Sequence, residues 1–273
     1  MEKAWDLSQG EGVVVAVVDT GIDYNHPDIA ANVWTNPGEV PDNGIDDDGN
    51  GFIDDVRGWN FADNNNDPMD TDGHGTQLAG IAAAVGDNGL GSVGVAFKAK
   101  VMAVKHAHTS GEAVSTAAAQ ALLYAVANGA DVINNSWGLL NTVPAVVDAV
   151  KFAHALGVVV VFAAGNDSRF LDQSGLLAMR ETIKVAATAP DDSRASFSNW
   201  GKFIDVAAPG GGSPGVQGPV PVITLDDSIL SLRADAVPRS ELSVGDPVPV
   251  HGKPLKGLER VCDDLCLAGG DIL

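Results

Sequence analysis

The sequence predicts an α/β fold, a mainly parallel sheet with helices covering both faces. Three observations carry this. Short, unbroken apolar runs recur along the chain and read as buried strands. Longer stretches of helical character separate them, and strands joined by helices lie parallel with both sheet faces covered. Gly129 and Gly157 stand where two of those helices should end, because glycine is the residue that most readily closes a helix in the left-handed conformation.

The first run, VVVAVV at 13–18, is too short for a helix and has no polar face, so it reads as a central strand. KVMAVK (100–105), DVINNS (131–136), VVVVFAA (158–164) and TIKVAA (182–187) repeat the pattern. Helices are expected over about 75–85, 112–128 and 143–156. Two segments break the alternation. Residues 30–72 form a long polar insertion rich in Asp, Asn and Gly. Residues 209–273 open with PGGGSPG and become loop-like, with neither helical nor strand period over 236–257. No internal repeat is visible.

The chain has 273 residues, 45% of them hydrophobic, enough for one large domain or two small ones. Acidic residues number 36 against 16 basic, a formal charge of -20. Such a surface repels nucleic-acid phosphates and anionic membranes, so neither partner is expected. No apolar run approaches the roughly 20 residues of a membrane span. The opening MEKAWDLSQGEG lacks the apolar core of a signal peptide. Only two cysteines occur, Cys262 and Cys266, which excludes a disulfide framework.

In parallel sheets, sites gather beyond the carboxyl ends of the strands. That rule singles out Asp19, the residues around Ser136, and Asn166, each placed directly after a strand. Each has a plain structural reading as a turn or strand-end residue. His74, in DGHGT, lies between two glycines at a helix start, with Asp72 two positions before it. The glycines let the backbone bend and expose the ring. The positive end of the helix dipole favours a neutral, basic imidazole. NNSWG (134–138) is a strand end that could pair with an extended peptide.

Taken together, these residues resemble the subtilisin-like serine proteases, the subtilases of peptidase family S8. The order is Asp, then His about 55 residues on, then Asn in AAGN on a later strand. The matching blocks are VAVVDTGIDYNHPDI, DGHGTQLAGIAAA, GVA, VINNSWG, FAAGN, ASFSNWG and DVAAPG. The resemblance runs from about residue 4 to residue 232 and implies the subtilisin-like three-layer fold, with a peptidase domain over 1–232 and an unassigned tail over 233–273. It implies that Asp19 orients His74, that His74 is general base and then general acid, and that Asn166 donates to the tetrahedral oxyanion. Ser136, Trp137 and Gly138, with Ala164 and Gly165, correspond to the strands that hold substrate. An extracellular protein acting on protein or peptide substrates is implied, monomeric if complete. Gln77 and Leu78 depart from the family's His-Val, at positions that are not catalytic.

The nucleophile is the larger departure. The family carries its serine in a Gly-Thr-Ser segment after a short strand. ILSL at 229–232 resembles that strand, but no Gly-Thr-Ser follows. Ser213 lies in GGSPG, which fits the G-x-S-x-G nucleophile elbow, yet Pro214 has no N–H to offer an oxyanion and neither strand nor helix flanks it. Ser231, Ser240 and Ser243 have no supporting context. The expectation is therefore a subtilase domain without its serine segment, inactive as an isolated chain. A non-catalytic peptide-binding relative is the alternative. A metal-dependent hydrolase built on His74 is disfavoured, because no second histidine has ligand spacing.

The insertion contains D-x-D-x-N-G at 46–51, followed by Asp54 and Asp55. Hard oxygen ligands on alternate residues around glycine turns suit Ca²⁺. Arg57 stands where an EF-hand needs its glutamate, so the loop is not an EF-hand. Asp46, Asp48, Asn50, Asp54 and Asp55 are the candidate ligands of a structural Ca²⁺, against the plain alternative of a solvated acidic loop.

Overall fold

A computed structural model describes residues 2–110, 116–137, 143–171, 175–189 and 191–210, with a short antiparallel pair at 249–250 and 253–254. Seven strands are β1 (Val14–Asp19), β2 (Gly58–Asn60), β3 (Lys100–Lys105), β4 (Val132–Asn135), β5 (Val159–Ala163), β6 (Thr182–Thr188) and β7 (Val206–Pro209). They form one sheet in the order β2-β3-β1-β4-β5-β6-β7, and each neighbouring pair is parallel. The helices are α1 (Glu2–Trp5), α2 (His74–Ala83), α3 (Thr116–Ala127) and α4 (Pro144–Ala155).

The strands read as continuous apolar runs because both faces are buried. Ala16 and Val18 of β1 and Met102 and Val104 of β3 pack with Leu122 and Ala125 of α3 and Val146 and Val150 of α4. The alternate residues, Val15, Val17, Val101 and Ala103, pack with Leu78, Ala79, Ala82 and Ala83 of α2. Side chains point to opposite faces with period two, so the molecule has three layers, with α3 and α4 on one side and α2 on the other. A one-residue slip of β1 would exchange the two sets, which pins the register.

Pro144 opens α4 at a position where its missing N–H costs nothing, and Gly157 with φ +77° closes it. The expected helices thus appear at 74–83, 116–127 and 144–155. The expected start of the second, from 112, lies outside the described residues. So do Gly138, the ILSL strand, Ser213, Ser231, Ser240, Ser243 and, apart from the short pair, the tail at 233–273.

The insertion at 30–72 is not simply loop. It carries β2, which pairs with β3 at the sheet edge. Phe52 lies 5.0 Å from both Trp59 and Tyr124 and 5.6 Å from Phe61, edge-on. These three insertion aromatics cover the Tyr124 side of α3, an apolar task hidden in a polar composition. Among the described residues, no helix is long and apolar enough to cross a membrane.

From β1 the chain reaches β3 on one side and β4 on the other. The carboxyl ends of β1 and β4 therefore meet at the point where strand order reverses, where open α/β sheets hold their ligands.

Candidate active site

Asp19 is the last residue of β1 and is 3% exposed. His74 is the first residue of α2, with Nδ1 2.7 Å from Asp19 Oδ1. Thr20 N also donates to Asp19 Oδ1, at 2.8 Å. With the carboxylate accepting, Nδ1 carries the proton and Nε2 is left as the basic nitrogen. Nε2 has no hydrogen-bond partner among the described residues.

The approach depends on glycine. A Cβ on Gly75 would lie 2.1 Å from Gly21 O and 3.3 Å from Asp19 Cβ. Only a residue without a side chain lets the first turn of α2 sit this close to the end of β1. Gly73, with φ +100°, makes the bend into the helix.

Asp70, four residues before His74, braces the same junction. Its Oδ1 accepts from Thr20 Oγ1 (2.9 Å), Asp72 N (2.9 Å) and Gly73 N (3.0 Å). Its Oδ2 accepts from Thr76 N (2.9 Å) and Thr76 Oγ1 (2.6 Å). Gly75 N donates to Thr20 Oγ1 at 3.0 Å. These bonds satisfy the free N–H groups of the helix start and tie it to β1. Burial opposes ionisation of Asp70, but the bonds from Thr76, Gly73 and Asp72 outweigh it and hold the carboxyl below its usual range.

The same balance acts on His74. Burial disfavours its imidazolium; the hydrogen bond and charge of Asp19, with the charges of Asp72 and Asp70, outweigh burial and raise its pKa above the ordinary value. A half-buried imidazole made more basic by a fixed carboxylate is suited to take a proton from a weak nucleophile and return it to a leaving group.

Beside this pair, at the end of β4, Ser136 Oγ accepts from Asn134 Nδ2 at 3.1 Å. Trp137 is buried, donates from Nε1 to Val18 O at 2.9 Å, and packs edge-on to Phe162. It thus fixes the end of β4 against β1. Gly138, the third residue of that predicted segment, lies outside the described residues. A small pocket between the ends of β1, β3 and β4 is lined by Asp19, Thr20, His106, Ala107, Ser136 and Trp137. His106 and Ala107 carried no clear sequence signal, since a lone histidine after a strand is commonly a packing residue.

Asn166 stands exposed in the turn that follows β5, at the same carboxyl edge as Asp19. Ala164 is buried, with its N–H on Val185 O at 2.9 Å. Gly165 takes φ +93°.

In the insertion, Glu39, Asp46 and Asp48 each place a carboxylate oxygen within 4.8 Å of the others. None of the three forms an ion pair among the described residues. Glu39 was not among the residues the motif pointed to; the fold brings it back onto the loop, where its Oε1 accepts from Asp47 N at 2.9 Å. The other candidates are engaged in holding the loop. Asn50 N donates to Asp46 Oδ1 at 3.0 Å, and Asn50 Nδ2 donates to Asp55 Oδ2 at 3.1 Å. Asp54 accepts from Asn43 N and Gly44 N. Asp55 is fully buried and turned inward to Asn36, Asn50 and Tyr124. Burial outweighs those bonds and raises its pKa.

A model described as the Subtilase family matches residues 10–239. Thermitase of Thermoactinomyces vulgaris is 39% identical over 208 residues, covering 76% of this chain and 66% of its own length. The Thermophilic serine proteinase of a Bacillus species is 37% identical over 208 residues, with 76% and 46% covered. Halolysin of Haloferax mediterranei is 36% identical over 214 residues, with 77% and 37% covered. The chain therefore spans two thirds or less of these relatives. Among solved structures, a protease from Pseudoalteromonas arctica superposes with a TM-score of 0.62 at 32% identity, covering 80% of this chain and 72% of that one. A cold adapted subtilisin-like serine proteinase follows with a TM-score of 0.60 at 27% identity, with 75% and 65% covered. With its family model matched over most of its length and its sheet shared with these structures, the chain belongs to the Subtilase family.

Proposed function

We propose that this chain is the base-and-oxyanion part of a subtilisin-type serine endopeptidase acting on protein or peptide substrates. The observation that carries the reading is the 2.7 Å contact from His74 Nδ1 to the buried Asp19 carboxylate, which leaves Nε2 for a reacting hydroxyl. In this mechanism a serine oxygen attacks the scissile carbonyl while His74 Nε2 takes its proton. Asp19 keeps the tautomer and stabilises the imidazolium. The Asn166 amide donates to the oxygen that becomes negative in the tetrahedral intermediate. His74 then gives the proton to the leaving amine. Ser136 to Gly138, with Ala164 and Gly165, hold the substrate backbone beside the P1 side chain.

The chain's 273 residues hold no Gly-Thr-Ser, and no serine at 213, 231, 240 or 243 has the family's context. The peptidase domain runs over 1–232, and 233–273 is a tail of unassigned role. Made as written, the chain is therefore inactive, keeping at best the residual catalysis of oxyanion donor and binding, roughly 10³–10⁴-fold over water. The same observation favours, as second reading, a relative that binds peptide without cleaving it. The same proposal includes a place outside the cell, supported by relatives such as the Extracellular protease of Xanthomonas campestris, and a monomeric state for the complete protein. The acidic loop fits a structural Ca²⁺: Glu39, Asp46 and Asp48 offer hard oxygens at one point, and among the described residues no cationic side chain forms an ion pair with them. Asn50, Asp54 and Asp55 would shape the loop around the ion or complete its shell. The ion would neutralise the loop; it takes no part in proton transfer.

The test is a chromogenic peptide assay with fluorophosphonate labelling, using His74→Ala as control. No turnover and no labelling are expected. Labelling of a serine between 213 and 243 that disappears in the His74 variant would mean that the tail supplies a nucleophile, and would overturn the inactive reading.

A further inference from the structure

We propose that Asn199 is the positioning residue of the oxyanion turn, fixing through its backbone N–H and its side-chain amide where the Asn166 Cα–Cβ bond points. The proposal rests on the reading of Asn166 as oxyanion donor. Asn199 lies in ASFSNWG, 33 residues downstream, and is 1% exposed. Its backbone N–H donates to Gly165 O at 3.0 Å. Its Oδ1 accepts from Asp167 N and Arg169 N, both at 3.1 Å. Its Nδ2 donates to Ala164 O at 3.0 Å and to Asp167 Oδ2 at 3.1 Å. Oxygen facing two N–H groups and nitrogen facing two acceptors leaves one orientation of the amide.

The bonds fall on either side of Asn166. The peptide plane before it, Gly165 C=O, is held by the Asn199 N–H. The plane after it, Asp167 N–H, is held by Asn199 Oδ1. With both flanking planes fixed, the φ and ψ of Asn166 are fixed, and so is the direction of its Cα–Cβ bond. The Asn166 side chain itself has no hydrogen-bond partner among the described residues, so nothing else on it sets that direction. Gly165 completes the arrangement: a Cβ there would lie 2.7 Å from Asn199 Nδ2, and its φ of +93° suits glycine. Asn199 is anchored in turn through its neighbour. Ala187 N of β6 donates to Ser198 Oγ at 2.9 Å, and Ser198 Oγ donates to Asn199 O at 3.0 Å. An oxyanion donor is effective only when preorganised, and here one buried residue supplies the preorganisation, through its backbone N–H and its side-chain amide.

The experiment has two arms, on the full chain. In the first, amide hydrogen exchange is followed by NMR for Asp167 and Arg169, with Ile183 of β6 as internal control. Asn199→Ala should lower protection of both amides at least tenfold and leave Ile183 unchanged; Asn199→Asp, which keeps an acceptor for both N–H groups but sets its second oxygen against Ala164 O and the Asp167 carboxylate, should retain only part of it. Should the alanine variant fail to fold, Asn199→Ser serves, since one short hydroxyl cannot reach both N–H groups. Unchanged protection of Asp167 and Arg169 overturns the proposal. The second arm compares binding of an acetylated tetra-alanine peptide with that of its phosphinic analogue, a tetrahedral anion that needs no nucleophile. Asn166→Ala should reduce the preference for the phosphinate. Asn199→Ala should reduce it by a similar factor, the double variant should fall no further, and Asn199→Asp should recover part. A full preference in Asn199→Ala overturns the proposal. No preference in the unmodified chain overturns the oxyanion reading of Asn166, while the exchange arm still decides whether Asn199 sets the turn.

Discussion

Replacing Gly75 by alanine is the sharpest perturbation of the dyad, because it adds one methyl group and leaves the side chains of Asp19 and His74 chemically unaltered. The new Cβ would stand 2.1 Å from Gly21 O, which is backbone and cannot swing away. Ordinary contact needs about 3.5 Å, so the first turn of α2 must retreat by more than about 1 Å. His74 rides on that turn. Its 2.7 Å bond to Asp19 then lengthens toward roughly 4 Å, beyond hydrogen-bond reach. The overpacking costs about 1–3 kcal/mol and the lost charge-assisted bond about as much again, in all roughly 2–6 kcal/mol. At about 2–4 °C per kcal/mol for a domain of this size, the melting temperature should fall by roughly 4–24 °C. The assay pairs calorimetry with an NMR titration of the His74 ring. Without Asp19 the burial penalty is left with only the weaker Asp72 and Asp70 charges against it, so the histidine pKa should drop. A melting temperature within about 2 °C of the parent, with an unmoved His74 titration, would refute the argument that glycine is what brings the dyad together.

Asp70→Asn tests the brace. The folded pKa of Asp70 is depressed, so its contribution is present above the unfolded value, near 3.9, and is lost as pH falls through the folded value. The variant should be less stable than the parent at pH 6–7, and the two stabilities should converge below about pH 4; a gap independent of pH would contradict this. Ca²⁺ should raise the melting temperature of the parent, since a ligand that binds only the native state stabilises it. Asp48→Ala should lose most of that shift, and equal shifts in both proteins would remove the ion from this loop.

Asp19 and His74 were legible because their chemistry coincides with strong local signals. Asp19 closes an apolar strand, and His74 lies between glycines at a helix start. Asn166 was legible by motif and strand-end position, but nothing local to it announced what holds it. Asn199 has no periodic or charge signature, and its role exists only once the chain has returned from β6. Asp70 and Asp72 look equivalent in DTDGHG; the fold turns Asp70 inward as a brace and leaves Asp72 exposed. Glu39 precedes the D-x-D-x-N-G motif by seven residues and reaches it only through the loop's backbone path. The same insertion hid β2, because four aromatics among many Asp, Asn and Gly residues show no period.

The titration of His74 in the unmodified chain and in Asp19→Asn bears most directly on the central claim, that a buried carboxylate makes His74 a general base. It needs no nucleophile and no substrate. Its sign is fixed by the geometry. A pKa raised in the folded state means that the Asp19–His74 pair adds stability below the unfolded value, near 6.5, and loses it as pH rises through the folded value. The ring in the parent should therefore titrate above the ordinary histidine value, and in Asp19→Asn it should fall below the parent. The stability advantage of the parent over the variant should shrink as pH rises past the parent's pKa. A His74 pKa at or below the ordinary value, unchanged by Asp19→Asn, would contradict the claim.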